Sequence, residues 1–145
     1  MLPTQKSLGV GIRVLVNQAW GFSSTDELSR ETLEAKAAEA VDIARASARV
    51  QEQPIRLAAE KPVTVDWSSE CKVDPFTTSL EQNLALLTKC DEELRTVKGV
   101  TLAETNFTLR RHEQWFYSSE GSQIHQTRFT TGAGYVAHAF AGSEI

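Results

Sequence analysis

The chain has 145 residues, 41% of them apolar and 23% charged, with a net charge of −4. That length fits a single domain, 1–145, and that composition is globular rather than disordered. The acidic balance speaks against a sequence-independent nucleic-acid binder, with Arg110-Arg111 the one hint of a basic patch. No apolar run approaches the roughly 20 residues of a membrane span. The start, Met1-Leu2-Pro3-Thr4-Gln5-Lys6, lacks the charged-then-apolar plan of a secretory signal. Cys71 and Cys90 have neither a disulfide framework nor metal-ligand spacing, which fits a reduced thiol pair and a cytoplasmic location.

Leu8 to Phe22 is expected to form a hairpin. Val10, Ile12, Val14 and Val16 alternate with Gly11, Arg13 and Leu15, so one face is apolar and the other mixed. Asn17-Gln18 makes the tight turn, Ala19-Trp20-Gly21-Phe22 returns, and Ser23-Ser24-Thr25-Asp26 ends the pattern. A helix follows from about Arg30 to Arg49, capped by Ser29, with Leu33, Ala37, Ala40, Val41, Ala44 and Ala48 along one side. Its alanines predict close packing on a sheet.

Gln51 to Phe76 shows no period and is interrupted by Pro54, Pro62 and Pro75, so it is expected to be an ordered surface crossover. Asp74-Pro75-Phe76 predicts an ordered turn with a buried ring. Ser79-Leu80-Glu81-Gln82 matches a capping box that opens a helix to about Val97, with Leu80, Leu84, Leu87, Cys90 and Leu94 inward and Gly99 as its stop. From Val100 to Ala141 the text is strand-like. Turns are expected near Arg111-His112-Glu113 and at Glu120-Gly121-Ser122, a bend or bulge at Gly132-Ala133-Gly134, and a last strand from Tyr135 to Phe140. Ala19 to Asp26 and Gln114 to Gly121 echo each other, each taken as the second arm of a hairpin carrying Trp, an aromatic and a Ser-Ser exit. The predicted class is α+β: a mostly antiparallel sheet with two main helices packed on one face.

Catalytic motifs are incomplete. His112-Glu113 begins like the zinc-peptidase His-Glu-x-x-His string, but Phe116 stands where the second imidazole belongs. His112, His125 and His138 recur every 13 residues, an odd spacing that sends strand side chains to opposite faces. No serine sits in a Gly-x-Ser-x-Gly elbow, and Gly9-Val10-Gly11 and Gly132-Ala133-Gly134 precede no helix that would cradle phosphate. No residue is assigned as catalytic, cofactor-binding or metal-binding.

Several segments in order resemble the amino-terminal domain of the TldD/PmbA family of metallopeptidases, formerly labelled modulator of DNA gyrase. They are Leu8 to Val16 with Ala19 to Phe22, the helix ending Ile43-Ala44-Arg45-Ala46-Ser47, Val73-Asp74-Pro75-Phe76 before Leu80, Trp115-Phe116 with Ser118-Ser119-Glu120-Gly121, and Ile124 to Gly134. The wording leans to the TldD-type half. The resemblance implies a truncated amino-terminal domain, non-catalytic, that helps enclose unfolded peptide in a paired assembly. Its partners would be another TldD/PmbA-type subunit or itself, with no nucleic acid and no membrane. The family's zinc belongs to a His-Glu-x-x-x-His helix and a later cysteine in the carboxy-terminal part, which no residue here matches, so no cofactor is expected in this chain. The alternative is a stand-alone interaction module that pairs with full-length subunits or binds peptide without cleaving it. In either case an uncovered β-edge at Val10 to Val16, with Trp20, Phe22, Trp115 and Phe116, is the expected contact surface.

Overall fold

The structure is a computed structural model that describes residues 4–140; the ends of the expected 1–145 span, including Met1 to Pro3 and Ala141, lie outside the described residues. The elements in order are β1 (Val10–Val16), β2 (Ala19–Thr25), α1 (Arg30–Ser47), β3 (Thr64–Ser68), α2 (Leu80–Thr96), β4 (Val100–Tyr117) and β5 (Gln123–Ala139). Two helices and five strands in mostly antiparallel pairing give the α+β class predicted from the sequence. The strands divide between two sheets, β1-β2 and β3-β5-β4, and the chain separates into two compact units, Met1–Glu60 and Lys61–Ile145. One helix therefore serves each sheet.

In the first unit β1 and β2 pair antiparallel from Val10↔Thr25 to Val16↔Ala19. Asn17 and Gln18 turn the chain with φ of 49° and 63°, both left-handed as a two-residue hairpin turn of this twist demands. Ile55 N–H and the Gln51 side-chain amide both donate to the Gln18 carbonyl, at 2.9 and 2.8 Å, which ties the following loop to the turn. The even residues of β1 lie on the same face as Ala19, Gly21 and Ser23, and α1 packs on that face. Ala19, Ala40 and Ala44 are completely buried there. β2 runs on through Ser23 and Ser24, which were expected to end the strand. Ser23 is buried and its hydroxyl donates to the Lys36 carbonyl at 2.6 Å, so a polar residue is satisfied inside the interface instead of breaking it. α1 starts where expected, with the Ser29 hydroxyl accepting from Thr32 N–H at 3.1 Å.

The second unit is built on one long hairpin. β4 and β5 pair from Leu102↔His138 to Tyr117↔Gln123, with a register shift only between Val100 and Leu102. The expected turn at Arg111-His112-Glu113 is absent, because these residues face Phe129, Arg128 and Thr127 in an unbroken ladder. Arg111 instead donates to Glu113 two residues along the same face, at 2.7 Å from Nε. Gly132-Ala133-Gly134 likewise pairs without a bulge. The expected turn at Gly121 is present, with φ of 102° and Ser118 N–H donating to the Ser122 carbonyl at 3.0 Å. Gln114 to Tyr117 accordingly closes the first arm of this hairpin, so the echo of Ala19 to Asp26 does not occupy an equivalent position.

The crossover holds a strand that no periodicity announced. β3 pairs parallel with β5, Thr64↔Gln123 to Ser68↔Thr127. Its approach is fixed by Gln123 N–H donating to the Val63 carbonyl at 2.8 Å. Asp74 makes the expected ordered turn, its carboxylate accepting from Phe76 N–H at 2.9 Å. The Phe76 ring, expected to be buried, is 48% exposed and rests 6.1 Å from Phe129. The capping box of α2 is complete: Ser79 accepts from Gln82 N–H and Gln82 accepts from Ser79 N–H, each at 3.2 Å. The inward face of α2 is shorter than expected. Leu87, Cys90 and Leu94 are half-buried towards β4, but Leu80 and Leu84 are exposed. Ala103 is the buried apolar residue of this unit, and no large side chain is fully buried among the described residues.

Candidate functional site

Side chains alternate across a sheet, so the register of β3, β5 and β4 sorts every candidate residue onto one of two faces. Asp66, His125 and Trp115 lie side by side on one face, each directly paired with the next. His112 faces Arg128 and His138 faces Leu102, which puts both on the opposite face from His125. The three histidines therefore do not converge. Among the described residues no group of three His, Cys, Asp or Glu side chains is placed to hold a metal ion.

Sequence reasoning missed the row Asp66–His125–Trp115. The His125 Nδ1 lies 3.1 Å from Asp66 Oδ1, and the indole of Trp115 stacks on the imidazole at 4.9 Å with 13° between planes. An ionised carboxylate only accepts, so the bond places a proton on Nδ1. Nε2 is then the remaining nitrogen; it is shielded from solvent and has no hydrogen-bond partner. An imidazole held in this way fixes β3 against β5 and has no open nitrogen to offer a substrate. The partners lie 59 residues apart along the chain. The odd parity of the histidine spacing was readable, but Asp66 sits in the stretch without periodicity.

The remaining candidate surface is aromatic and strand-edged. In the first unit, the face of the sheet away from α1 carries Arg13, Leu15, Trp20 and Phe22, with the Arg13 guanidinium 4.5 Å above the Trp20 ring. Phe22 is exposed beside an open groove formed with Gly9, Gly11, Ser24 and Asp26. The outer edge of β1 receives no backbone hydrogen bond among the described residues, and the crossover that could have covered it pairs with β5 instead. In the second unit Val65, Ile124 and Phe116 form a row on the face opposite His125, next to Trp67. Trp67 and Phe116 are exposed there, as is Trp115 on the other face.

Electrostatics add little to these surfaces. The Arg95 guanidinium titrates above its ordinary range because Asp91 accepts its hydrogen bond at 2.7 Å and adds a Coulombic attraction, against a smaller desolvation effect. This pair braces the last turn of α2, and Arg95 also reaches the Ala103 carbonyl at 3.4 Å. Cys90 is half-buried on α2, and exposed Cys71 donates to the Val73 carbonyl at 2.8 Å. No helix among the described residues is long and apolar enough to cross a membrane.

Residues 4–44 match the model of PmbA/TldA metallopeptidase domain 1. The matched stretch is the β1–β2 hairpin and most of α1, the elements that bury Ala19, Ala40 and Ala44 and leave the β1 edge open. The match supports a relation to the PmbA/TldD metallopeptidases and places it in the first of the two units. No curated protein and no solved structure matches the chain.

Proposed function

We propose that this chain serves as a non-catalytic, substrate-enclosing and assembly part of a TldD/PmbA-like zinc metallopeptidase, of the TldD type, that acts on unfolded peptides. The observation that carries the reading is the coincidence of the family match with an open strand edge. β1 belongs to residues 4–44 and its outer edge is unpaired among the described residues, and Trp20 and Phe22 stand on the adjacent sheet face. An extended peptide added to β1 gains main-chain hydrogen bonds, and aromatic side chains on the sheet supply apolar contacts. The zinc chemistry of such a peptidase would come from the carboxy-terminal part of the resembled family. In this reading the Asp66–His125–Trp115 row holds β3 against β5.

The test is a titration of the purified chain with reduced, carboxymethylated casein, followed by tryptophan fluorescence and by electrophoresis. Saturable binding without cleavage, weakened by Trp20→Ala, is expected. Cleavage by the chain alone, or one tightly bound zinc per chain that is lost on His125→Ala, would return the chemistry to this chain and overturn the reading. Absence of binding to any unfolded peptide, with co-elution on mixing with a full-length TldD-type subunit, would favour the interaction module.

A further inference from the structure

Among the described residues β4, an 18-residue strand, has a neighbouring strand on one side only. Arg95, at the Ala103 carbonyl, is the one side chain that reaches its backbone among the described residues. An edge of this length invites another strand, and the order of charges along it specifies which. Arg111 and Glu113 already satisfy each other. Glu104 and Arg110 have no ion-pair partner among the described residues; both are exposed, and their cross-strand neighbours on β5 are Val136 and Thr130. They are of opposite sign and stand three residues to either side of Phe107.

We propose that the β4 edge pairs with the β4 edge of a second copy of this chain, antiparallel and centred on Phe107. A two-fold axis perpendicular to the sheet keeps each side chain on its own face, so residue pairs must share parity. Centring on Phe107 opposes Glu104 to Arg110 of the other copy twice, on the face away from α2. On the α2 face it opposes Phe107 to Phe107 and Thr105 to Leu109, all half-buried or shielded along that row already. Registers centred on Glu104, Arg110, Arg111 or Glu113 set like charges face to face. A register centred on His112 opposes Arg111 to Glu113, which gains nothing new because those two are bonded within the chain. Across β5, Phe107 has only the small side chain of Ala133 opposite it on the same face. This pairing uses the second unit and stands whether or not peptide binds at β1.

Sedimentation velocity of the full chain across a concentration series tests the pairing, with circular dichroism confirming that each variant keeps its fold. The wild type is expected to dimerise. Glu104→Arg alone and Arg110→Glu alone should each weaken the dimer on the order of tenfold or more, since each sets two like-charge contacts across the axis. The double exchange should restore wild-type affinity while leaving casein binding unchanged. Spin labels give the register independently: in a chain with Cys71→Ser and Cys90→Ala, labels at Thr108 should approach within about 10 Å, and labels at Gln114 should stand about 48 Å apart. A monomer at all concentrations, single exchanges without effect, a double exchange that fails to restore, or labels closer at Gln114 than at Thr108 would each overturn the proposal.

Discussion

Replacing Gly21 by alanine tests the packing of α1 on its sheet more directly than any other single change. A Cβ at Gly21 would stand 1.9 Å from the Ala40 carbonyl oxygen, 2.6 Å from Ala44 N and 2.9 Å from Ala44 Cβ. Ordinary carbon–oxygen contact is more than an ångström longer, and the obstacle is helix backbone that no rotamer change can move. α1 must therefore retreat, which opens the interface formed by Ala19, Ala40 and Ala44 and stretches the Ser23–Lys36 hydrogen bond of 2.6 Å. Overpacking of this kind costs about 1–3 kcal/mol. The strained hydrogen bond adds about 1 kcal/mol, so Gly21→Ala should lose about 3 kcal/mol. Gly11→Ala is the comparator: its Cβ would meet only the Phe22 ring, at 3.0 and 3.3 Å, and that ring is exposed and can swing away. It should cost less than about 1 kcal/mol, because alanine also reduces the entropy of the unfolded chain. Urea unfolding followed by far-ultraviolet circular dichroism measures both. Equal losses for the two variants, or a Gly21→Ala loss below about 1 kcal/mol, would refute the close contact of helix and sheet.

Ser79→Ala removes one of the two reciprocal bonds of the α2 capping box and should cost about 1 kcal/mol, with amide exchange at Gln82 rising first. Gln18→Gly should stabilise the hairpin by about 0.5–1 kcal/mol in urea unfolding, because φ of 63° is costly for a side chain and free for glycine; a loss would show that the Gln18 side chain holds the turn. His125→Ala frees Asp66 and unstacks Trp115, so hydrogen exchange should accelerate at Val65 and Trp67 on β3 while Ala40 and Ala44 in the first unit stay protected. Unchanged exchange along β3 would mean that backbone pairing with β5 suffices to hold the strand.

Where the sequence alone was decisive, the deciding bonds are local. The Asn17-Gln18 turn, the Ser29 cap, the Ser79–Gln82 box and the Asp74 turn all close over two or three residues, so their donors and acceptors are written side by side. The alanine stripe of α1 was legible for a related reason: Ala37, Ala40, Ala44 and Ala48 share a side at helical spacing, and small residues on a sheet-facing side pack closely. Tertiary structure decided everything that depends on a distant partner. Arg111-His112-Glu113 has the polarity of a turn, but β5 supplies Phe129, Arg128 and Thr127 across from it and the strand runs straight through. β3 has no period of its own, and it becomes a strand because Ile124, His125 and Gln126 accept it nearly 60 residues later. Leu80 and Leu84 carry the helical spacing of a core face and remain exposed, since periodicity states which side of a helix is apolar and only the fold states whether anything covers it.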